Sequence, residues 1–243
     1  MKVWIGCCGF AGGMKKYFKI FKTVEVQQTF YKIPQRKTLE KWKKLAPKDF
    51  IFNIKAFQGI THPYTSPTWR RFGEELTGKK ENYGNLQPTK EVFDSWKKTL
   101  DAASILKAKI ILIQLPARFK DTKENLNNAQ KFFKKIKRLN FKIAFEPRGW
   151  KDESIKEFCK KFNLIHCVDL FVRESLWFGR SKIGYFRLHG KYEKGRINYK
   201  HDYSKKELKE LKQKIESLRI KEAFIMFNNI YMFKNALEFS KLF

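Results

Sequence analysis

The chain has 243 residues, 53 Lys and Arg against 24 Asp and Glu, a net charge of +29, and 42% hydrophobic residues. That length can bury one large core but is short for two units of the pattern described below, so residues 1–243 read as a single domain. No apolar run approaches the roughly 20 residues of a membrane span, which argues against a helical membrane protein and for a soluble, cytoplasmic one.

Eight short apolar runs, rich in β-branched and aromatic residues, follow one another along the chain at residues 3–7, 23–27, 50–55, 109–114, 142–146, 164–169, 183–189 and 222–228. Segments of helical periodicity separate them. Val92, Trp96, Leu100 and Ala103 form one apolar stripe. Asp121-x-x-Glu124 reads as a capping box before Leu126, Phe132, Phe133 and Ile136, and Ser204-x-x-Glu207 as another before Leu208, Leu211, Ile215 and Leu218. Strands alternating with helices over this length predict an α/β fold, a TIM (β/α)8 barrel. One connection is long: residues 57–89, with Pro63, Pro67, Gly73, Gly78 and Gly84, form an insertion after the third strand that is expected to overhang the barrel mouth.

The runs end in polar residues: Glu25 and Gln27, Lys55, Gln114, Glu146 with Arg148, Asp169, Arg187 with His189, and Asn228-Asn229. Alternation along a strand sends Glu25 and Gln27 inward if Val24 and Val26 face the helices, and places Tyr185, Arg187 and His189 on one face. His166 has the opposite parity to Asp169 and is expected to face the helices. Charged groups in a barrel interior are costly unless they pair or meet a ligand. The two readings are a reactive site at the C-terminal mouth, or a buried network in which Glu25, Glu146, Arg148 and Arg187 neutralise one another.

The positive charge creates an attractive field for polyanions, and the partner is expected to be an anionic small molecule or nucleic acid. Many lysines, such as Lys131, Lys134, Lys135 and Lys137 or Lys205, Lys206, Lys209 and Lys212, fall on helix outer faces, where solvated surface is their default role. Basic residues expected near the mouth are Lys55, Arg70, Arg71, Arg148, Arg173, Arg187, Lys191, Lys194 and Arg196; Tyr64, Trp69, Trp150, Tyr192 and Tyr199 interleave with them as flat faces for sugars or bases. Cys7, Cys8, Cys159 and Cys167 have neither metal-ligand nor disulfide-framework spacing and read as buried thiols.

Several segments in order, IG and GF at residues 5–10, VEVQQTFYKIP at 24–34, FNIKAFQGITHP at 52–63, ILIQLPARF at 111–119, AFEPRGW at 144–150, YFRLHG at 185–190 and FNNIYMFKNAL at 227–237, give the sequence a resemblance to the YecE-like family, domain of unknown function 72. The resemblance implies a TIM barrel and names no reaction. Where family members often carry Thr-Ser and Asn-Ser, this chain has Cys7-Cys8 and Gln27-Gln28.

Glu25, Glu146, Asp169 and His189 are the catalytic candidates, and Gln27, Tyr31, Lys55, His62, Gln114, Arg148, Trp150, Arg187, Tyr199, Asn228 and Asn229 the substrate-binding ones. The expected substrate is a phosphate-bearing sugar or nucleic acid, with phosphoester or glycosidic hydrolysis favoured. A non-catalytic nucleic-acid-binding protein is one alternative. A sugar-phosphate isomerase or aldolase with Lys55 as Schiff-base amine is another, weakened because neighbouring carboxylates should oppose a low pKa there. The four catalytic candidates could hold a divalent metal, which is not favoured because histidine is scarce and cations stand beside the carboxylates.

Overall fold

The structure, a computed structural model, describes residues 1–193 and 196–243. Strands β1 (Lys2–Cys7), β2 (Thr23–Val26), β3 (Ile51–Lys55), β4 (Ile110–Leu115), β5 (Lys142–Pro147), β6 (Ile165–His166) and β7 (Ile183–Leu188) are followed by a hairpin of β8 (Lys191–Glu193) and β9 (Arg196–Asn198), and then by β10 (Glu222–Phe227). Helices α1 (Met14–Ile20), α2 (Gln28–Tyr31), α3 (Arg36–Leu45), α4 (Lys90–Leu106), α5 (Lys123–Lys135), α6 (Asp152–Phe162), α7 (Lys205–Glu216) and α8 (Met232–Ser240) connect them. All ladders apart from the hairpin are parallel, in the orders β2-β3-β4-β5-β6 and β7-β10-β1. Among the described residues no helix is long and apolar enough to cross a membrane.

Two seams close these ladders into a TIM barrel. Between β6 and β7, Val168 bridges Phe186 in parallel, and Arg187 N donates to Val168 O at 2.9 Å. Between β1 and β2 no ladder forms, and the buried Tyr17 hydroxyl spans the gap: it accepts from Cys7 N at 2.7 Å and donates to Thr23 O at 2.9 Å. A Cβ on Gly6 would lie 2.3 Å from Thr23 O, so only glycine allows the two strands to approach this closely. Tyr17→Phe is expected to leave both backbone groups without their partner and cost about 1–3 kcal/mol in urea unfolding; a loss below about 0.5 kcal/mol would show that the seam does not depend on the hydroxyl.

Strand alternation sorts the side chains as expected. Val24, Val26, Phe52, Ile54, Ile111, Ile113 and Phe145 pack outward against the helices. Ile110, Leu112, Ala144, Ile165, Cys167, Ile183, Tyr185, Phe224 and Met226 fill the interior. The N-terminal end is plugged by Trp4 stacked on Phe224, with Glu222 accepting from Trp4 Nε1 at 3.0 Å and from Lys109 Nζ at 2.5 Å. The buried charged residues Glu25, Lys55, Glu146, Asp169 and Arg187 lie toward the C-terminal end.

Three local expectations need correction. The sixth run, predicted over 164–169, is a strand only at Ile165–His166, because residues 175–178 fold back on it: His166 N donates to Trp177 O, and Ile165 pairs antiparallel with Phe178. Asp121 does not cap the helix that follows it. Thr122 caps α5, and Asp121 instead accepts from Lys151 N and Ser154 Oγ at the start of α6. The loop after the seventh strand contains the β8–β9 hairpin. The Ser204–Glu207 capping box is present as read. The insertion of residues 57–89 carries three short 3-10 turns and an aromatic cluster of Phe57, Trp69, Phe72 and Tyr83.

Candidate active site at the barrel mouth

Arg187 sits at the centre of the mouth, 1% exposed. Its Nε donates to Glu25 Oε2 at 3.0 Å and its Nη1 to Glu146 Oε2 at 2.8 Å, so one guanidinium from β7 ties β2 to β5 across the barrel. Tyr185 Oη also donates to Glu25 Oε2, at 2.9 Å, and Gln27 Nε2 to Glu25 Oε1 at 2.5 Å. Arg148 Nε donates to Glu146 Oε1 at 2.5 Å. The mutual neutralisation considered from sequence thus exists among Glu25, Glu146, Arg148 and Arg187. Despite burial, Arg148 and Arg187 hold the Glu146 carboxyl well below the usual carboxylate range.

His189, directly after β7 and two residues past Arg187, is neutral in this setting. Burial lowers its pKa, with the Asp169 hydrogen bond opposing and Arg187 assisting. Its Nε2 faces two guanidinium donors, Arg148 Nη2 at 2.8 Å and Arg187 Nη1 at 3.2 Å, so Nε2 accepts and Nδ1 carries the hydrogen toward Asp169 Oδ2 at 3.4 Å. Asp169 is also held by His189 N and Phe171 N at 2.9 and 3.0 Å.

Lys55 overturns a sequence expectation. Its ammonium lies 3.6 Å from the Phe30 ring centroid and, among the described residues, within ion-pair distance of no carboxylate, because Glu25 and Glu146 are engaged by the arginines. Burial, with repulsion from Arg187, lowers its pKa to about 7. The nearby carboxylates do not prevent this shift, since their charge is already compensated.

The remaining candidates divide. Gln114 is buried at the end of β4, opposite Glu146 in the ladder, and donates to Leu115 O. His62 is buried beside Phe30, bonded through Nδ1 to Thr61 Oγ1 at 2.8 Å, and burial lowers its pKa to about 3. It senses Lys55, which brings the start of the insertion to the rim of the mouth. Tyr199 is exposed at the rim, its ring 6.3 Å from that of His189. Tyr31 lies under the Arg71 guanidinium. Asn228, half-buried, contributes its backbone N–H to Leu188 O.

Two substrate candidates hold the scaffold instead. Trp150 is 4% exposed and packs among Phe119, Phe145 and Phe158 in the layer between barrel and helices, so it offers no face to a ligand. Asn229 Nδ2 is spent on His201 O and Asn235 Oδ1, tying the loop before α8. His166 is buried, accepts from Leu176 N at Nδ1, and also borders the mouth cavity. Arg70, Arg71, Lys191, Arg196 and Tyr64 are exposed, Trp69 donates to Pro63 O, and Lys194 lies outside the described residues. Sequence reasoning missed Phe30 as the floor under Lys55; the only signal was its place in the short helix directly after β2.

A divalent cation does not fit this donor set. Arg187 already occupies the space between Glu25 and Glu146, and among the described residues no three His, Cys, Asp or Glu side chains converge as ligands. What the mouth does offer is a cavity of about 310 Å³ bounded by Glu146, Arg148, Asp169, Arg173, His189, Tyr192 and further residues of the same loops. Larger grooves of about 660 and 710 Å³ run outside the barrel between α3, α4 and the insertion, but among the described residues they gather no buried charged group.

The sequence profile of a family described as protein of unknown function DUF72 matches residues 9–243. The chain belongs to the DUF72 family. UPF0759 protein YunF of Bacillus subtilis (strain 168) is 26% identical over 241 residues, covering 89% of this chain and 80% of that protein. A DUF72 family protein of Thermotoga maritima superposes with a TM-score of 0.70 at 22% identity, covering 100% of this chain and 99% of that one. Endonuclease IV of Thermus thermophilus has a TM-score of 0.54 at 11% identity over 100% of both chains. Likeness at these identities is one of fold, and DUF72 chains share with such enzymes the barrel that gathers loops at one mouth.

Proposed function

We propose that the protein is an enzyme that binds a small phosphate-bearing sugar at the C-terminal mouth of its barrel and acts on it with protein side chains alone. One observation carries this reading: in the cavity the carboxylates are already bonded, while cationic donors are left over. Glu146 is shared by two guanidiniums, and Asp169 by two backbone N–H groups and His189. Arg148 has spent Nε and one Nη2 hydrogen, and Arg173 pairs with Asp152 through Nη2 only, so both retain N–H groups for a ligand among the described contacts. A ligand that completes such a site brings acceptors and negative charge. A cavity of about 310 Å³ is at the small end for ligand pockets and suits a sugar monophosphate better than a nucleic-acid strand.

Carbonyl chemistry, isomerisation or carbon–carbon cleavage, fits this mouth better than hydrolysis. Paired-carboxylate glycoside hydrolysis needs one carboxyl protonated near neutrality. Here Glu146 is held ionised and Glu25 is bonded to Arg187 and Tyr185. Ribose 5-phosphate and inorganic phosphate are the probes of choice in calorimetric titrations. Arg148→Gln and Arg173→Gln are each expected to weaken binding by about tenfold or more, the scale of one charge-assisted hydrogen bond. Unchanged affinity in both would end the reading.

The charge of +29 favours a second reading, nucleic-acid binding over the outer surface. It is distinguished by affinity for mixed DNA or RNA that falls steeply with salt and ignores both Arg substitutions.

A further inference from the structure

Lys55 ends β3 facing the barrel interior, 6% exposed, and lies near enough to Glu146 and Arg148, which border the cavity, to feel their charge. Its surroundings differ from those of an ordinary buried lysine. A buried ammonium normally finds a carboxylate, and two stand close enough for their charge to be felt. Both are diverted: Glu25 takes Arg187, Tyr185 and Gln27, and Glu146 takes Arg187 and Arg148. What remains for the amine is the face of Phe30 below it, with neutral His62 edge-on to the same ring. Arg187 thus does two things, removing both counter-ions and adding a like charge nearby.

We infer that Lys55 is the reactive amine of this site, adding to the carbonyl carbon of an open-chain aldose or ketose phosphate to form an imine. The inference rests on the sugar-phosphate reading above and names its catalytic residue. In the step, the neutral Nζ lone pair forms a C–N bond as the carbonyl π bond breaks, and a proton moves from nitrogen to the new alkoxide. Protonation of that hydroxyl releases water and leaves an iminium, which can accept electrons from an adjacent C–H or C–C bond. An amine whose pKa is lowered to about 7 is about half neutral at physiological pH, whereas an ordinary lysine near 10.4 is almost wholly protonated. Burial that disfavours the ammonium is one established way of activating a lysine for this chemistry.

The test uses the intact protein with dihydroxyacetone phosphate and sodium borohydride, which reduces an iminium to a stable secondary amine, followed by peptide mass spectrometry. Adduct is expected on Lys55 ahead of the exposed lysines, with a pH midpoint near 7, and the preference should vanish in urea-unfolded protein. Lys55→Met should lose the adduct yet keep its phosphate binding at pH 8. Modification spread evenly over surface lysines, or none on Lys55 at pH 8, would overturn the inference. If phosphate still bound through Arg148 and Arg173 in that case, the sugar-phosphate reading would stand without it. Trapping on Lys55 with no phosphate affinity would have the opposite meaning.

Discussion

Replacing Arg187 with Met should destabilise the protein by about 3–5 kcal/mol, the scale observed when one member of a buried ion-pair network is removed. Met keeps much of the buried stem, so most of the loss is electrostatic. Glu25 loses its only guanidinium and retains Tyr185 and Gln27; Glu146 keeps Arg148. Glu25 is fully buried and cannot be rehydrated without opening the mouth, whereas Glu146 borders the cavity. Adding Glu25→Gln to Arg187→Met should recover more than about 1 kcal/mol, because a neutral amide needs no counter-ion. Urea unfolding measures all three variants. A loss below about 1 kcal/mol for Arg187→Met would mean that the guanidinium is not what holds β2, β5 and β7 together at this end.

The second large effect is acid sensitivity. Burial lowers the pKa of His62 to about 3 and of His166 to about 4, and it lowers that of His189 as well. An unfolded histidine titrates near 6.5. Between that value and the folded values the unfolded chain binds more protons than the native one, so stability rises with pH across the window and is lost on acidification from about 6.5 downward. Each group contributes up to about 1.4 kcal/mol per pH unit while fully titrating. Three together can consume a typical stability of about 5–15 kcal/mol within a few units. Glu146, held below its unfolded value, adds a further loss only below about pH 4.5. The melting temperature should therefore fall between pH 6.5 and 5, before carboxylates protonate; a flat profile down to pH 5 would contradict the neutral, buried state of these rings.

Much of this arrangement is legible in the sequence because strand alternation is a strong constraint. Val24 and Val26 outward oblige Glu25 to face inward, and the spacing of Tyr185, Arg187 and His189 stacks three polar groups on one face. What fails is what alternation does not govern. Trp150 stands three residues past β5, where the chain turns, and it drops into the aromatic layer under α6. Asp121 serves a helix start 30 residues away, a contact that no local motif encodes. The shift at Lys55 depends on which carboxylates are already taken, a property of the whole ring of residues rather than of its neighbours in the chain.

If the mouth gathers unspent cationic donors for a small phosphate-bearing ligand, a crystal of the protein soaked with ribose 5-phosphate should reveal it. The phosphoryl group is expected within hydrogen-bond distance of Arg148 and Arg173, with the sugar carbon chain directed toward Lys55. Ligand found only on the outer helix faces, with the cavity between Glu146, Asp169 and Tyr192 holding nothing but water, would contradict that role for the mouth.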